Sequence, residues 1–223
     1  EISECLVGSE MCIRDRHSHH LSEDPFRAIL NIRFPKDKFF PEAGRFYSVG
    51  VHPWEVTLEN RIDWTLFEEL AGHPQVLAIG ECGMDKHVYP ELLMAQERIF
   101  SRQLAVAEKL GKPVLIHNVK STGIIGLLKK NASGHIPWIQ HGFRGKPELA
   151  LEMLRLGFYL SLGIRYNEDS LRVIPLDRLF LETDDSETDI CQVYERAART
   201  LGISVIKLTE QIQHNIKKVF FNG

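Results

Sequence analysis

The stretch Val76-Leu77-Ala78-Ile79-Gly80-Glu81 runs through four apolar residues and a glycine to a carboxylate. A short apolar run of this kind is typical of a parallel strand that is buried on both faces of its sheet. Parallel α/β barrels keep their chemistry on polar residues at the carboxyl ends of such strands. Glu81 is therefore a candidate functional residue, and the stretch favours an α/β fold.

Other side chains that bind metals lie at the ends of further predicted strands. They are His17, His19, His117, His141 and Asp184. Imidazole nitrogens and carboxylates without thiolates suit a hydrolytic site for a divalent metal. Each residue alone also fits an ordinary role, such as a buried core histidine or, for Asp184, a helix N-cap. Six such placements in one chain favour a metal site.

Strand and helix patterns alternate along the chain. We predict a first strand leading into His17 and further strands at residues 28–34, 46–51, 76–81, 113–117, 138–141, 158–161 and 179–183. Helical patterns occupy residues 62–72, 90–110, 121–130, 147–156, 188–201 and 204–221. Gly111 follows the longest of them, where a left-handed helix cap is expected. The alternation predicts an α/β protein with a (β/α)8 TIM-type barrel.

Two departures from a regular barrel are expected. About eight residues separate His20 from the second strand, too few for a crossover helix of a dozen or more. The barrel should therefore lack its first outer helix, and residues 204–221 should form an extra C-terminal helix. Residues 1–16 show no clear periodicity and are interpreted as a non-native or disordered leader, so that residues 17–223 form a single hydrolase domain.

Composition limits the classes of function. The net charge of −3 and the pI of about 6.4 argue against a generally basic nucleic-acid coat but allow a local basic rim. The four cysteines show no paired spacing and are interpreted as free thiols of a reducing compartment. No apolar run is long enough to cross a bilayer. We expect a cytoplasmic protein with no membrane association and no obligate protein partner.

A local basic rim is indicated by cationic residues that follow the predicted strands. They are Lys86, Lys120, Arg144 and Arg165. Such a rim suits a polyanion, although each residue could equally be an ordinary solvated loop residue. Trp54 could stack a terminal base, and His52, which ends a strand, could contact a phosphate.

Six blocks of sequence resemble the successive signatures of the TatD family of metal-dependent DNases. They are His17-Ser18-His19, Gly50-Val51-His52-Pro53, Ile79-Gly80-Glu81-Cys82-Gly83-Met84-Asp85, Pro113-Val114-Leu115-Ile116-His117, His141-Gly142-Phe143 and Leu181-Glu182-Thr183-Asp184. The resemblance extends from about residue 17 to the C-terminus. It implies an amidohydrolase-like barrel with one or two divalent ions, of which Mg, Mn and Zn are the candidates.

By this resemblance, His17, His19 and Asp184 would hold one ion, and His117 and His141 a second, with Glu81 bridging both. Asp184 and Glu81 are the expected catalytic residues, with Asp184 accepting the proton of the attacking water. The expected activity is hydrolysis of phosphodiester bonds in DNA by metal-activated water.

Two other functions remain open. The same site could serve an amidohydrolase or esterase that acts on a small molecule or an aminoacyl-tRNA, because fold and ligands do not decide the bond that is cleaved. The chain could also be an inactive binding module, although none of the six ligands is missing.

Overall fold

Strands and helices alternate along most of the described chain. The computed structural model describes residues 15–18, 28–58, 61–132, 134 and 136–221, and it leaves out the side chains of residues 16–18. The strands are β1 (Asp15–Ser18), β2 (Ala28–Arg33), β3 (Phe46–Gly50), β4 (Val76–Asp85), β5 (Val114–Val119), β6 (Trp138–Gln140), β7 (Tyr159–Leu162) and β8 (Leu179–Leu181). The helices are α1 (Trp64–Gly72), α2 (Leu93–Leu110), α3 (Thr122–Asn131), α4 (Pro147–Arg155), α5 (Glu168–Val173), α6 (Ile190–Leu201) and α7 (Val205–Phe220).

The described chain divides into two compact units. The middle unit is Asn31–Gln140, and the terminal unit consists of Glu1–Leu30 and His141–Gly223. The boundary falls inside β2.

The middle unit is built around β4, all ten residues of which are buried. Its strands β3, β4, β5 and β6 pair in chain order, and each pairing is parallel. Helix α2 packs on β4, as the apolar stripe of an amphipathic helix requires. Gly111 ends α2 in the left-handed conformation at φ 66°, as the sequence predicts.

The position of Glu81 within β4 differs from the prediction. The sequence predicts that the strand ends at Glu81, whereas β4 continues to Asp85. Its pairing with β5 shifts register between Ile79 and Cys82, so Glu81 lies at an irregularity inside the strand. Such a bulge lets a strand turn one side chain aside and then resume pairing.

The terminal unit contains parallel pairs of β7 with β8 and of β1 with β2. Helices α4, α6 and α7 were predicted, whereas α5 was not. At six residues, α5 is too short for helical periodicity to mark it, although Asn167 caps its first turn. Helix α7 is fixed to the start of β8 by buried Asn215, whose Nδ2 donates to the carbonyls of Leu176 and Leu179. The predicted C-terminal helix is therefore confirmed.

The predictions for the N-terminal region can be compared with the structure only where its residues are described. Residues 1–14 and 19–27 lie outside the described residues, so the leader and the missing first helix remain predictions. Strand β1 begins at Asp15, within the predicted leader. The Asp15 side chain is buried and accepts from the backbone N–H of Thr183 at 3.0 Å and from its hydroxyl. Among the described helices, none combines the length and the apolar character that crossing a membrane requires.

Candidate metal centre

Glu81 lies between two histidines in the middle unit. It is only 3% exposed, and its Oε1 lies 3.0 Å from Nε2 of His52 and 2.8 Å from Nδ1 of His117. One ligand atom from each residue lies within 4.8 Å of the other two. Among the side chains that the structure describes, this is the one group of three with the spacing of a metal site. We call these three residues the His-Glu-His cluster.

The ring of His52 is oriented by its own backbone turn. His52 precedes a 3-10 turn, Pro53–Glu55, and its Nδ1 accepts from the backbone N–H of Trp54 at 3.1 Å. A neutral imidazole that accepts at Nδ1 carries its proton at Nε2, which therefore donates to Glu81. A neutral histidine binds a metal through the ring nitrogen that carries no proton, so Nε2 of His52 becomes available to an ion when the ring proton moves to Nδ1 and the contact with the Trp54 N–H is given up.

The backbone around Glu81 is held by contacts that require particular residues. Asn31 accepts through Oδ1 from the backbone N–H of Glu81 at 2.7 Å and from the hydroxyl of Ser48 at 3.2 Å. Gly80 has φ 143°, and a Cβ there would lie 2.7 Å from Cβ of Leu115. Only glycine fits this positive φ and this close approach of β5. Gly80 thus allows β5 to approach the backbone next to Glu81.

The far side of the His117 ring faces a second carboxylate. Asp85 accepts through Oδ2 from the indole N–H of Trp54 at 2.8 Å, and the same oxygen lies 3.1 Å from Nε2 of His117. Its Oδ1 accepts from the backbone N–H groups of His87 and Val88. Burial alone would raise the pKa of Asp85, but hydrogen bonds from His117, from Trp54 and from these backbone groups outweigh burial and hold that pKa well below its usual range.

The cluster fits a divalent ion in its donor chemistry. Two imidazole nitrogens and one carboxylate are a common donor set for Zn²⁺ and other first-row divalent ions. Asp85 adds the outer carboxylate that metal-binding histidines commonly have on their other nitrogen. The middle unit therefore contains three candidate ligands, His52, Glu81 and His117, and a carboxylate, Asp85, that contacts one of them.

The amino-acid sequence of this chain matches a known protein family. The profile of the family described as TatD related DNase matches residues 41–221. The chain belongs to the TatD family. This membership confirms the resemblance on which the sequence-based expectations rest.

Curated relatives in the TatD family are similar over part of their length. A 147-residue region is 32% identical to YabD of Bacillus subtilis, named an uncharacterized metal-dependent hydrolase, and covers 62% of this chain and 58% of YabD. A 154-residue region is 35% identical to the 3′-5′ ssDNA/RNA exonuclease TatD of Musicola paradisiaca, and covers 61% of this chain and 55% of that protein. The matched region thus spans little more than half of these two relatives.

Solved structures show the fold. The crystal structure of YJJV, a TatD homologue from Escherichia coli K12, matches with a TM-score of 0.77 at 17% sequence identity, covering 95% of this chain and 99% of that one. The match confirms the predicted α/β class of (β/α)8 TIM-type barrels.

The other TatD-family ligands predicted from the sequence lie in the terminal unit or outside the described residues. His19 and the side chain of His17 belong to the second group. His141 is buried, with Nδ1 3.7 Å from Oε1 of Glu182. Glu182 is fully buried and accepts from the Gly142 backbone N–H and the Ser161 hydroxyl. Asp184 follows β8 with a left-handed backbone at φ 57°.

The predicted substrate residues are exposed except for His52. Lys86, Lys120, Arg144 and Arg165 have exposed side chains. Lys120 Nζ lies 3.3 Å from Nδ1 of His87, and Arg165 is 3.8 Å from exposed Asp185. Trp54 is 53% exposed, and its ring meets the buried His52 ring edge-on at 5.0 Å. Trp54 therefore joins an open surface to the His-Glu-His cluster.

Two residues of the candidate site make contacts that the sequence did not reveal. His52 was predicted as a phosphate contact, yet it belongs to the cluster, and its position after β3 was the available signal. Asp85 lies within a quoted TatD-like block, but no role was predicted for it. The sequence feature that could have indicated a role for Asp85 is the two-residue alternation of a strand, which puts Glu81, Gly83 and Asp85 on one side.

Cys82, next to Glu81, is a buried packing residue. It is fully buried, and its thiol lies 3.6 Å from the carbonyl of Leu115. Burial, with the nearby charge of Glu81, raises the pKa of this thiol well above its usual value. A thiol in this state is not a nucleophile at neutral pH.

Proposed function

We propose that this protein is a divalent-metal-dependent hydrolase that cleaves phosphodiester bonds in DNA. The observation that carries the proposal is the contact of one buried carboxylate oxygen, Glu81 Oε1, with the imidazoles of His52 and His117. Membership of the TatD family and the exposed cationic residues support it.

The proposed ligands extend beyond the His-Glu-His cluster. We infer that His17, His19 and Asp184 contribute to a first ion and His117 and His141 to a second, with Glu81 shared. His52 is a further candidate ligand because of its contact with Glu81. One or two ions of Mg, Mn or Zn fit this mixture of nitrogen and oxygen donors.

The residues of the chain act on the substrate and its proton. When bound, a divalent ion supplies Lewis acidity that lowers the pKa of water and offsets the charge developing on the phosphate. Asp184 accepts the proton of the attacking water through its carboxylate. Asp85 holds the ring of His117 from behind, so that Nδ1 remains directed at Glu81. Glu81 contributes negative charge to the site.

Single-stranded nucleic acid is the proposed substrate. The relative from Musicola paradisiaca is named a 3′-5′ ssDNA/RNA exonuclease, which supports action at a strand end. The exposed ring of Trp54 offers a surface on which a terminal base can stack. Lys86, Lys120, Arg144 and Arg165 would then contact phosphates. A cytoplasmic site of action is proposed from the free thiols of Cys82 and Cys191.

The salt dependence of binding tests this substrate class. Replacing any one of Lys86, Lys120, Arg144 and Arg165 by Ala should weaken binding of a single-stranded oligonucleotide. The plot of log affinity against log salt concentration should become shallower by roughly 0.7 to 1 unit for each phosphate that the variant no longer neutralises. The measurement is a fluorescence-anisotropy titration at several salt concentrations, with Ca²⁺ replacing the catalytic ion if it does not support turnover.

Lys217→Ala, which removes an exposed lysine from α7, is the matched control and should leave the slope unchanged. Four unchanged slopes in the rim variants would contradict a nucleic-acid substrate. That outcome would favour an amidohydrolase or esterase for a small molecule, because a small substrate cannot span several rim residues.

A further inference from the structure

Two buried glutamines of α2 contact the backbone beside the candidate metal centre. Gln96 and Gln103 are both fully buried, although glutamine is a residue that is mostly exposed in proteins. They are seven residues apart, which is close to two helical turns, so both lie on the same face of α2. This face packs on β4.

Each glutamine pairs with both backbone groups of one residue at a strand end. Gln103 accepts through Oε1 from the N–H of Val51 at 2.7 Å and donates through Nε2 to its carbonyl at 3.2 Å. Gln96 accepts from the N–H of Asp85 at 2.8 Å and donates to the Asp85 carbonyl at 3.3 Å. A primary amide has one acceptor and two donors, so it can imitate a neighbouring strand.

The two contacted residues both adjoin the His-Glu-His cluster. Val51 immediately precedes His52, so the position of the Val51 backbone fixes the position of the His52 Cα, from which the imidazole ring extends. Asp85 contacts Nε2 of His117 and the indole of Trp54. One helix thus holds the backbone of the residue before His52 and of the residue that contacts His117.

We propose that Gln103 and Gln96 are positioning residues that set the rings of His52 and His117 for metal binding. Buried backbone groups need partners, and apolar packing alone would satisfy burial but not these N–H and carbonyl groups. The glutamines fix both the position and the tilt of the two strand ends. Their role in metal binding rests on the proposed function, whereas their role in ring orientation does not.

The test replaces each glutamine with Met, which preserves length and volume but removes both hydrogen bonds. Ring nitrogen signals of the metal-free protein are recorded by 1H–15N NMR, with His52 and His117 assigned by single replacement among the ten histidines. We expect Gln103→Met to shift the His52 signals most and Gln96→Met to shift those of His117 most. Val106→Ala, at a buried apolar position of α2, is the control and should shift neither.

A second measurement uses Mn²⁺ alone as the probe. Calorimetric titration should give about 10- to 100-fold weaker Mn²⁺ binding in each glutamine variant and unchanged binding in Val106→Ala. If a Met variant does not fold, Gln103→Asn or Gln96→Asn, which keeps a neutral amide but is one methylene too short to reach both backbone groups, takes its place and should shift the same ring.

The outcomes separate the two claims. Folded glutamine variants with wild-type ring signals would overturn the positioning role, as would equal shifts in Val106→Ala. A wild-type protein that binds no Mn²⁺, Mg²⁺ or Zn²⁺ would instead contradict the proposed function. The NMR comparison would still decide whether the glutamines position the rings.

Discussion

Replacing Glu81 with Gln should lower the hydrolysis of single-stranded DNA by more than about 100-fold, because loss of an outer-sphere partner alone costs 10- to 100-fold and Glu81 is a proposed ligand. Gln keeps the size and one oxygen but removes the negative charge that lies between His52 and His117. The amide can also turn an N–H toward an imidazole. The measurement is the single-turnover cleavage rate of an oligonucleotide together with Mn²⁺ affinity.

Glu91→Gln is the matched control for Glu81→Gln, because it removes an exposed carboxylate from the segment that follows β4. It should leave both cleavage and metal binding near wild type. A folded Glu81→Gln protein that cleaves at the wild-type rate would contradict the proposed role of Glu81, independently of the roles of the other candidate ligands.

Asp184→Asn should reduce cleavage by at least about 100-fold if Asp184 provides general-base catalysis of ordinary size. Its φ of 57° makes this replacement informative, since Asn tolerates the left-handed backbone better than most residues. Backbone strain should therefore contribute little, and the loss should report the missing base and charge. The rate constant at saturating substrate and metal is the quantity to compare.

Asp177→Asn, at an exposed position in the 3-10 turn before β8, controls for the loss of one acidic charge. It should not change the rate constant. Turnover near the wild-type value in Asp184→Asn, with metal still bound, would show that another group accepts the proton.

The strand-helix alternation was readable from the sequence because buried parallel strands have distinctive apolar runs. The run at residues 76–81 lies inside β4, and Gly111 ends α2 with the expected left-handed cap. The extension of β4 to Asp85 was not readable, because a bulge depends on pairing with β5 rather than on local residues. Helix α5 was missed because six residues do not complete two helical turns.

The sequence predicted which types of residue form the candidate site but not which of them contact one another. Glu81 and His117 were predicted as ligands from their places in strands, and the structure brings them within 2.8 Å. The grouping of His52 with Glu81 depends on the turn at Pro53–Glu55, which orients the ring through Trp54. Gln96 and Gln103 were invisible to a search for apolar stripes, because they are polar residues on the buried face of α2.

The most direct test of the account is cleavage of a single-stranded oligonucleotide by purified protein before and after removal of metal. Chelated protein should be inactive, and addition of Mg²⁺, Mn²⁺ or Zn²⁺ should restore cleavage in the wild type but not in Glu81→Gln. Cleavage that persists after complete chelation would contradict the central claim. So would a metal-loaded protein that cleaves no nucleic acid but hydrolyses a small ester or amide.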